Sequence, residues 1–379
     1  MNLPSLTYLT FDSVTAGVGA SQVVPYVAGL AQRGLKVSLH SFEDPHATAV
    51  AHPVLGATEG LTWWPHDFGR PGAVGGAMRI ARGAKVLRGA KLVHARSDPA
   101  AASAILARPP CWIWDMRSFW VDERVATGYV RRGSPEERIM RRVERGAARS
   151  AAGIVTLARS AISELARRHG PSVVPKCEVV TTCVDLQHFS PGPLPPPDTV
   201  RFLLAGTLNS NYDLPLMLEL VERASRRRPS ALTVLSPGPT PWDADLRAHH
   251  IEVSSVARSE MPEQVRAHHV GLSVRRAEEG VSLLAATPTK VGEFLAAGRP
   301  VVVNAGLGDL DTLLADYDCG VVVRDRTGGE LERALDEIDR LLADDEVSAR
   351  CRRLAEAAFN LDTGVDRLVA LYGRAAAVR

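Results

Sequence analysis

One pattern dominates this chain: strand-like apolar runs alternate with amphipathic helical stretches, stop at a run of prolines, and then begin again. Before the break, Leu6–Phe11, Lys36–Phe42, Lys91–His94, Cys111–Asp115 and Gly153–Leu157 read as strands, and Ser21–Arg33 as a helix. After it, Val200–Ala205, Ala231–Leu235, Gly271–Val274, Val301–Asn304 and Gly320–Val323 read as strands, with Leu214–Arg227 as a helix. The break, Ser190-Pro191-Gly192-Pro193-Leu194-Pro195-Pro196-Pro197-Asp198, is the best linker candidate. Such alternation means parallel sheets covered on both faces, and 379 residues exceed what one core usually supports. The expected architecture is α/β, with two doubly wound parallel-sheet domains, 1–190 and 191–358. A closing helix follows, with Val365, Leu368, Val369 and Tyr372 at helical spacing.

Composition narrows the class. No apolar run approaches the roughly 20 residues that span a bilayer, and the start, Met1-Asn2-Leu3-Pro4-Ser5, lacks a basic leader, so a cytoplasmic protein is expected. The five cysteines are scattered without a CxxC, which points away from a disulfide framework or a zinc site. The pairs His249-His250 and His268-His269 place neighbours on different sides of an element, unlike metal-ligand spacing. Charge is uneven: residues 1–190 hold 23 basic and 15 acidic side chains, the remainder 22 and 28. Much of the surplus lies in 129–151, where Arg131, Arg132, Arg138, Arg141, Arg142, Arg145 and Arg149 cluster. That segment fits a helix drawn to anionic lipid at the inner face of the membrane, or simply a solvated face. No nucleic-acid partner is expected.

The richest motif runs from Thr287 to Val303. Thr287 is expected to cap a helix and Pro288 to occupy its first position, so that the first-turn amides, Thr289 and Lys290 form an anion site. Glu293 lies one turn further along the same face, and Gly298 ends the helix before a buried strand. The chain has 40 arginines and only 5 lysines, and Lys290 is the only lysine after Lys176. A second loop, Thr15-Ala16-Gly17-Val18-Gly19-Ala20-Ser21, follows the first strand, where Gly17 and Gly19 can let amides approach a phosphate. Gln22 stands where a dinucleotide fingerprint needs glycine, but Glu43 and Asp44 follow the next strand, where a ribose-binding acid sits. A tight strand-to-helix turn explains the glycines as well.

Three Asp-x-Asp pairs, Asp243/Asp245, Asp309/Asp311 and Asp316/Asp318, have metal-binding spacing, yet acids at helix starts and in loops account for them better. Asp115-Met116-Arg117-Ser118-Phe119-Trp120-Val121-Asp122-Glu123-Arg124 follows a strand whose C-terminal end faces the ligand crevice of such sheets. Its charges fit a functional loop or a self-satisfied Asp–Arg network. His94, also at a strand end, has the same two readings.

Taken in order, these residues resemble the retaining glycosyltransferases of family 4, of GT-B architecture. The resemblance is carried by Gly17-Val18-Gly19 with Ser21-Gln22-Val23 and Pro25-Tyr26-Val27; Leu92-Val93-His94; Trp114-Asp115-Met116-Arg117 with Phe119-Trp120 and Asp122-Glu123; and Val184-Asp185-Leu186 with Phe189-Ser190. It continues through Ala205-Gly206-Thr207-Leu208 to Pro288-Thr289-Lys290, Glu293-Phe294-Leu295-Ala296 and Gly298-Arg299-Pro300-Val301. The resemblance implies two Rossmann-like domains facing a central cleft, with 359–379 packing back on the first. It implies metal-independent transfer of a sugar, with retention, from a UDP- or GDP-sugar to a sugar, lipid-linked or small-molecule acceptor. Asp115, Arg117 and Lys290 take catalytic roles. Gly17, Gly19, Gly206, Thr207, Thr289, Lys290 and Glu293 bind the donor nucleotide, with Glu293 on the ribose and Lys290 on the diphosphate. His94, Glu278 and Glu279 face the acceptor or the donor sugar.

Three departures matter. Relatives carry an Arg and a Lys after the glycine at 206, but Thr207-Leu208-Asn209-Ser210-Asn211-Tyr212-Asp213 has neither. Their paired glutamates are eight apart, yet Ala285 precedes Glu293 at that spacing, which leaves the sugar-facing acid either absent or displaced to Glu278 or Glu279. Asp115 stands where relatives often have a histidine. A nucleotide-sugar-binding protein without transfer activity and a dinucleotide oxidoreductase are therefore the alternatives. Trp63 and Trp64 fit either a core or a sugar platform.

Overall fold

The computed structural model describes residues 4–44 and 53–377; residues 1–3, 45–52 and 378–379 lie outside them. The chain divides into two compact units, Met1–Thr181 with Leu361–Arg379, and Thr182–Asn360. The first carries seven parallel strands: β1 (Leu6–Thr10), β2 (Val37–Glu43), β3 (Leu61–Asp67), β4 (Leu92–Arg96), β5 (Cys111–Asp115), β6 (Gly153–Thr156) and β7 (Cys177–Val179). Their order is β3-β2-β1-β4-β5-β6-β7. The second unit carries β8 (Val200–Ala205), β9 (Ser230–Leu235), β10 (Val253–Ser254), β11 (Val270–Ser273), β12 (Val301–Asn304) and β13 (Gly320–Val323), in the order β10-β9-β8-β11-β12-β13.

Both sheets are wound alike. Each starts in the middle, adds two strands outward, and returns to the other side of its first strand, which creates a switch point between β1 and β4 and another between β8 and β11. At such a point the loops leaving the carboxyl ends of the two strands diverge and open a crevice. The central strands are buried on both faces, as Val301, Val302 and Val303 illustrate, so their sequence is continuously apolar.

The strands that sequence pattern misses are the marginal ones. Strand β3 contains Pro65 and two tryptophans; it lies at the sheet edge, where a missing N–H is tolerated. Strands β7 and β10 have three and two residues, too short for periodicity to register.

The proline-rich stretch is tied to the second unit. Arg299 is fully buried and donates to the carbonyls of Gly192, Pro193 and Arg266 at 2.9, 2.7 and 2.8 Å. Burial lowers its guanidinium to about 10. The closing helix, Leu361–Ala377, belongs to the first unit: Arg33 bonds Asp366 and Asp362, and Val365 packs where Gly29 leaves no room for a side chain.

Candidate functional site

In the second unit, the helix Thr289–Ala296 points its N-terminus at the β8/β11 switch point. What seats it is Gly271 of β11: a Cβ there would fall 2.2 Å from the Phe294 ring, so only glycine lets the helix pack this close to the sheet. The helix starts later than the sequence suggests. Thr287 is not the cap; its carbonyl accepts from Thr182 Oγ1 at 2.7 Å, and Pro288, with extended backbone, holds the cap position without a side-chain bond. The other end is as expected, with Gly298 at a φ of 76° just beyond the last turn.

Lys290 is the centre of this region. Its side chain is buried, and Nζ has no hydrogen-bond partner among the described residues. The ammonium lies 4.1 Å from the ring centroid of Tyr212, a cation–π contact that only partly replaces water. Gly206, at a φ of 103° after β8, places its Cα beside Lys290: a Cβ would come within 3.6 Å of Nζ. Thr207 follows, exposed, and Thr289 is half-buried at the helix start. Tyr212 also lies 5.5 Å from the guanidinium of Arg275. Burial would raise its phenol, but Lys290 and Arg275 outweigh that and hold it below its usual range.

Glu293 is half-buried. Burial lifts its carboxyl above the ordinary glutamate value, against the pull of Arg258, Lys290 and His188. Glu278 and Glu279 part company. Glu278 is exposed near Arg276, whereas Glu279 is buried and paired with Arg275 at 2.8 and 2.5 Å. Ala285, eight residues before Glu293, is fully buried. Arg275 and Tyr212 are the residues that sequence reasoning missed; the available sign was that Arg275 stands directly beyond a strand's carboxyl end.

In the first unit, the β1/β4 switch point holds a different kind of cluster. His94 Nε2 and Asp115 Oδ2 are 3.1 Å apart, Arg96 and Arg117 donate to the same carboxylate at 3.4 and 3.2 Å, and Arg96 reaches Asp12 at 3.0 Å. The other imidazole nitrogen meets the Tyr372 hydroxyl of the closing helix at 2.9 Å, and Tyr8 stacks on the ring at 4.3 Å. Burial would raise the Asp115 carboxyl, yet Arg117, His94 and Arg96 hold it well below the usual carboxylate range. Burial lowers His94, with Asp115 pulling it back. Nearby, Trp114 donates to buried Asp98, whose carboxyl is pushed up to about 8 by burial and by Glu144.

The glycine loop serves the fold visibly. Gly17 is exposed at a φ of 59°, and a Cβ on Gly19 would meet the Ser13 carbonyl at 1.9 Å. Glu43 is fully buried and accepts from the Val14 amide, Ser13 Oγ and Thr15 Oγ1, so its carboxylate braces this loop instead of presenting itself to a ribose. One acid of each Asp-x-Asp pair is also occupied: Asp243 accepts from Thr240, Asp311 from the Gly306 amide, and Asp318 pairs with Arg340. Among the described residues no three His, Cys, Asp or Glu side chains come together as a metal-holding group.

Arg138, Arg141, Arg142, Arg145 and Arg149 of the Arg-rich segment lie on the helix Pro135–Ser150, and Arg131 and Arg132 precede it. Arg141 is tied to Asp122 at 2.7 and 2.9 Å, while Arg138, Arg142, Arg145 and Arg149 are exposed along one stripe with no ion pair among the described residues. Tyr129 and Ile139 are exposed near it. No helix among the described residues is long and apolar enough to cross a membrane. Of the tryptophans, Trp63 bonds Ser41, and Trp64 is exposed beside His40.

Two parallel-sheet α/β domains with this winding are the GT-B architecture, and the chain matches glycosyltransferase structures of that type. It is similar to a sucrose-phosphate synthase from Thermosynechococcus elongatus, with a TM-score of 0.75 and 14% identity over 99% of this chain and 100% of that one. It is also similar to AviGT4, a glycosyltransferase involved in avilamycin A biosynthesis (TM-score 0.64, 19% identity, 99% of each chain). A third is HepE of Anabaena, solved in complex with UDP-glucose (TM-score 0.68, 13% identity, 97% and 98% covered). No protein-family model and no curated protein matches the chain.

Proposed function

We propose that the protein is a retaining, metal-independent glycosyltransferase that takes a sugar from a nucleoside diphosphate and gives it to an acceptor hydroxyl in glycan or glycosylated-metabolite synthesis. The observation that carries this reading is Lys290: a buried ammonium without an acceptor, at a helix N-terminus and a switch point, is short of one anion. Breaking the bond between sugar and phosphate loads negative charge onto the leaving diphosphate, and a cation already fixed in a dry site stabilises that charge without reorganising. The backbone of Gly206, Thr207 and Thr289 lines the same place, and Glu293 is suited to accept from ribose hydroxyls. With Lys290 and the helix amides on the phosphates, the reaction needs no metal there.

UDP is the nucleotide to try first, because the structural neighbour HepE holds UDP-glucose. In the first unit, Asp115, Arg117 and His94 would serve the acceptor side, and the unpaired stripe Arg138/Arg142/Arg145/Arg149 would rest on an anionic membrane surface. Vesicles with and without phosphatidylserine test that last point: binding only to the anionic ones, lost when these arginines become glutamine, is expected.

A non-transferring nucleotide-sugar binder is the second reading, favoured by Ala285 in the place of an acid and by the commitment of Glu279 to Arg275. One assay separates the two. Incubation with UDP-glucose and UDP-N-acetylglucosamine, with a panel of sugar and lipid-linked acceptors, should release UDP in the wild type and form an α-anomeric product. Lys290→Ala and Glu293→Ala should both lose turnover. Donor binding without release by any acceptor would favour the second reading, and unchanged turnover in both variants would remove the site assignment.

A further inference from the structure

The loop after β8 carries no cation between Gly206 and Tyr212, yet a diphosphate brings two or three negative charges. Arg275 occupies the opposite lip of the same switch point. Two backbone bonds zip the loops together, Asp213 N to Val274 O at 3.0 Å and Arg276 N to Asn211 O at 2.9 Å, and Tyr212 and Arg275 form an isolated antiparallel bridge. The Arg275 amide is further fixed on Asn304 Oδ1, at the end of β12, at 2.7 Å. Three neighbouring strands therefore hold this residue in place.

Its side chain shares a platform with Lys290. Both cations lie within 5.5 Å of the Tyr212 ring centroid, and both are largely buried. Glu279 engages one edge of the guanidinium through Nε and Nη2, which fixes the plane of the fork. Two buried cations and the buried Glu279 carboxylate border this ring, with half-buried Glu293 also within the reach of the Lys290 charge. A planar guanidinium beside an ammonium is the pairing that suits phosphate oxygens, one as a fork and one as a point charge.

We infer that Arg275 is a donor-binding residue, the second cation on the diphosphate, supplied from β11 in place of the cations missing after β8. The inference rests on the reading that the second unit takes a nucleoside diphosphate. It adds a contact that the β8 loop cannot provide and makes the donor's phosphates bridge the two lips of the crevice.

The test compares UDP with uridine, by calorimetry and by ligand-observed NMR titration, in the wild type, Arg275→Gln and the double variant Arg275→Gln/Glu279→Gln. The double variant removes both members of the pair, so no lone buried carboxylate is left to unfold the protein. Loss of a charge-assisted contact should weaken UDP about ten- to a hundredfold, while uridine affinity stays within about twofold, since uridine has no phosphate. Arg275→Lys, which keeps the charge without the fork, should fall between. A wild type that binds UDP and variants that bind it equally well would overturn the role of Arg275, as would UDP and uridine affinities falling together. A wild type that binds neither UDP nor GDP would remove the underlying donor site, and the inference with it.

Discussion

The two switch points are built on the same winding but treat charge in opposite ways. In the first unit, Asp115 is met by His94, Arg96 and Arg117, Arg96 is shared with Asp12, and Tyr372 closes the far side of His94. In the second, Lys290 is buried and its ammonium lies over the Tyr212 ring without a hydrogen-bond acceptor among the described residues. A cluster whose charges satisfy one another holds its shape without a ligand; a buried cation without an acceptor is a cost that folding carries for something that arrives later. The contrast is what the proposed donor site in the second unit requires, a cation left for an anion, where the cluster in the first unit needs none.

The comparison breaks most easily at Asp115. Asp115→Ala leaves Arg96 and Arg117 facing each other without their carboxylate, and should destabilise the protein by about 3–5 kcal/mol, read as a lower urea midpoint. A change of under about 1 kcal/mol would show that the first cluster is not self-sustaining after all. Lys290→Met has the opposite sign. It removes the unpaired charge and should raise the stability of the unliganded protein by about 1 kcal/mol while abolishing stabilisation by UDP. Loss of stability in that variant would mean that Lys290 has a partner in solution.

Two pH experiments sharpen the contrast further. Asp98 keeps its proton in the native protein up to about 8, whereas the unfolded chain gives it up near its ordinary value of 3.8. Its contribution is therefore complete below that value and is lost as pH rises towards 8. Asp98→Asn should flatten this fall in the urea midpoint, and an unchanged slope would argue against a protonated Asp98. The smallest effect concerns Glu293. Its raised carboxyl should make UDP affinity decline on acidification from a higher pH than an ordinary glutamate gives, and Glu293→Gln should remove that decline.

Much of this was legible in the sequence where local physics decides. Strands β5, β8, β12 and β13 and the helix Leu214–Arg227 have the limits that the apolar pattern gives, because each is buried along its whole length or on one regular face. The helix that carries Lys290 and Glu293 and its stop at Gly298 were readable from turn chemistry. Pairings across long sequence separations were not. Nothing near Glu43 says that it braces Ser13–Thr15, and Tyr372 reaches His94 across 278 residues. Thr287 was misread because the capping rules see a threonine before a proline but not the Thr182 hydroxyl that takes its carbonyl.

The central claim is that the buried ammonium of the second unit awaits a diphosphate. Calorimetric titration of UDP into the wild type and into folded Lys290→Met tests it most directly. The account predicts one UDP per wild-type chain and binding at least about a hundredfold weaker in the variant. Equal affinity in the two proteins would contradict it.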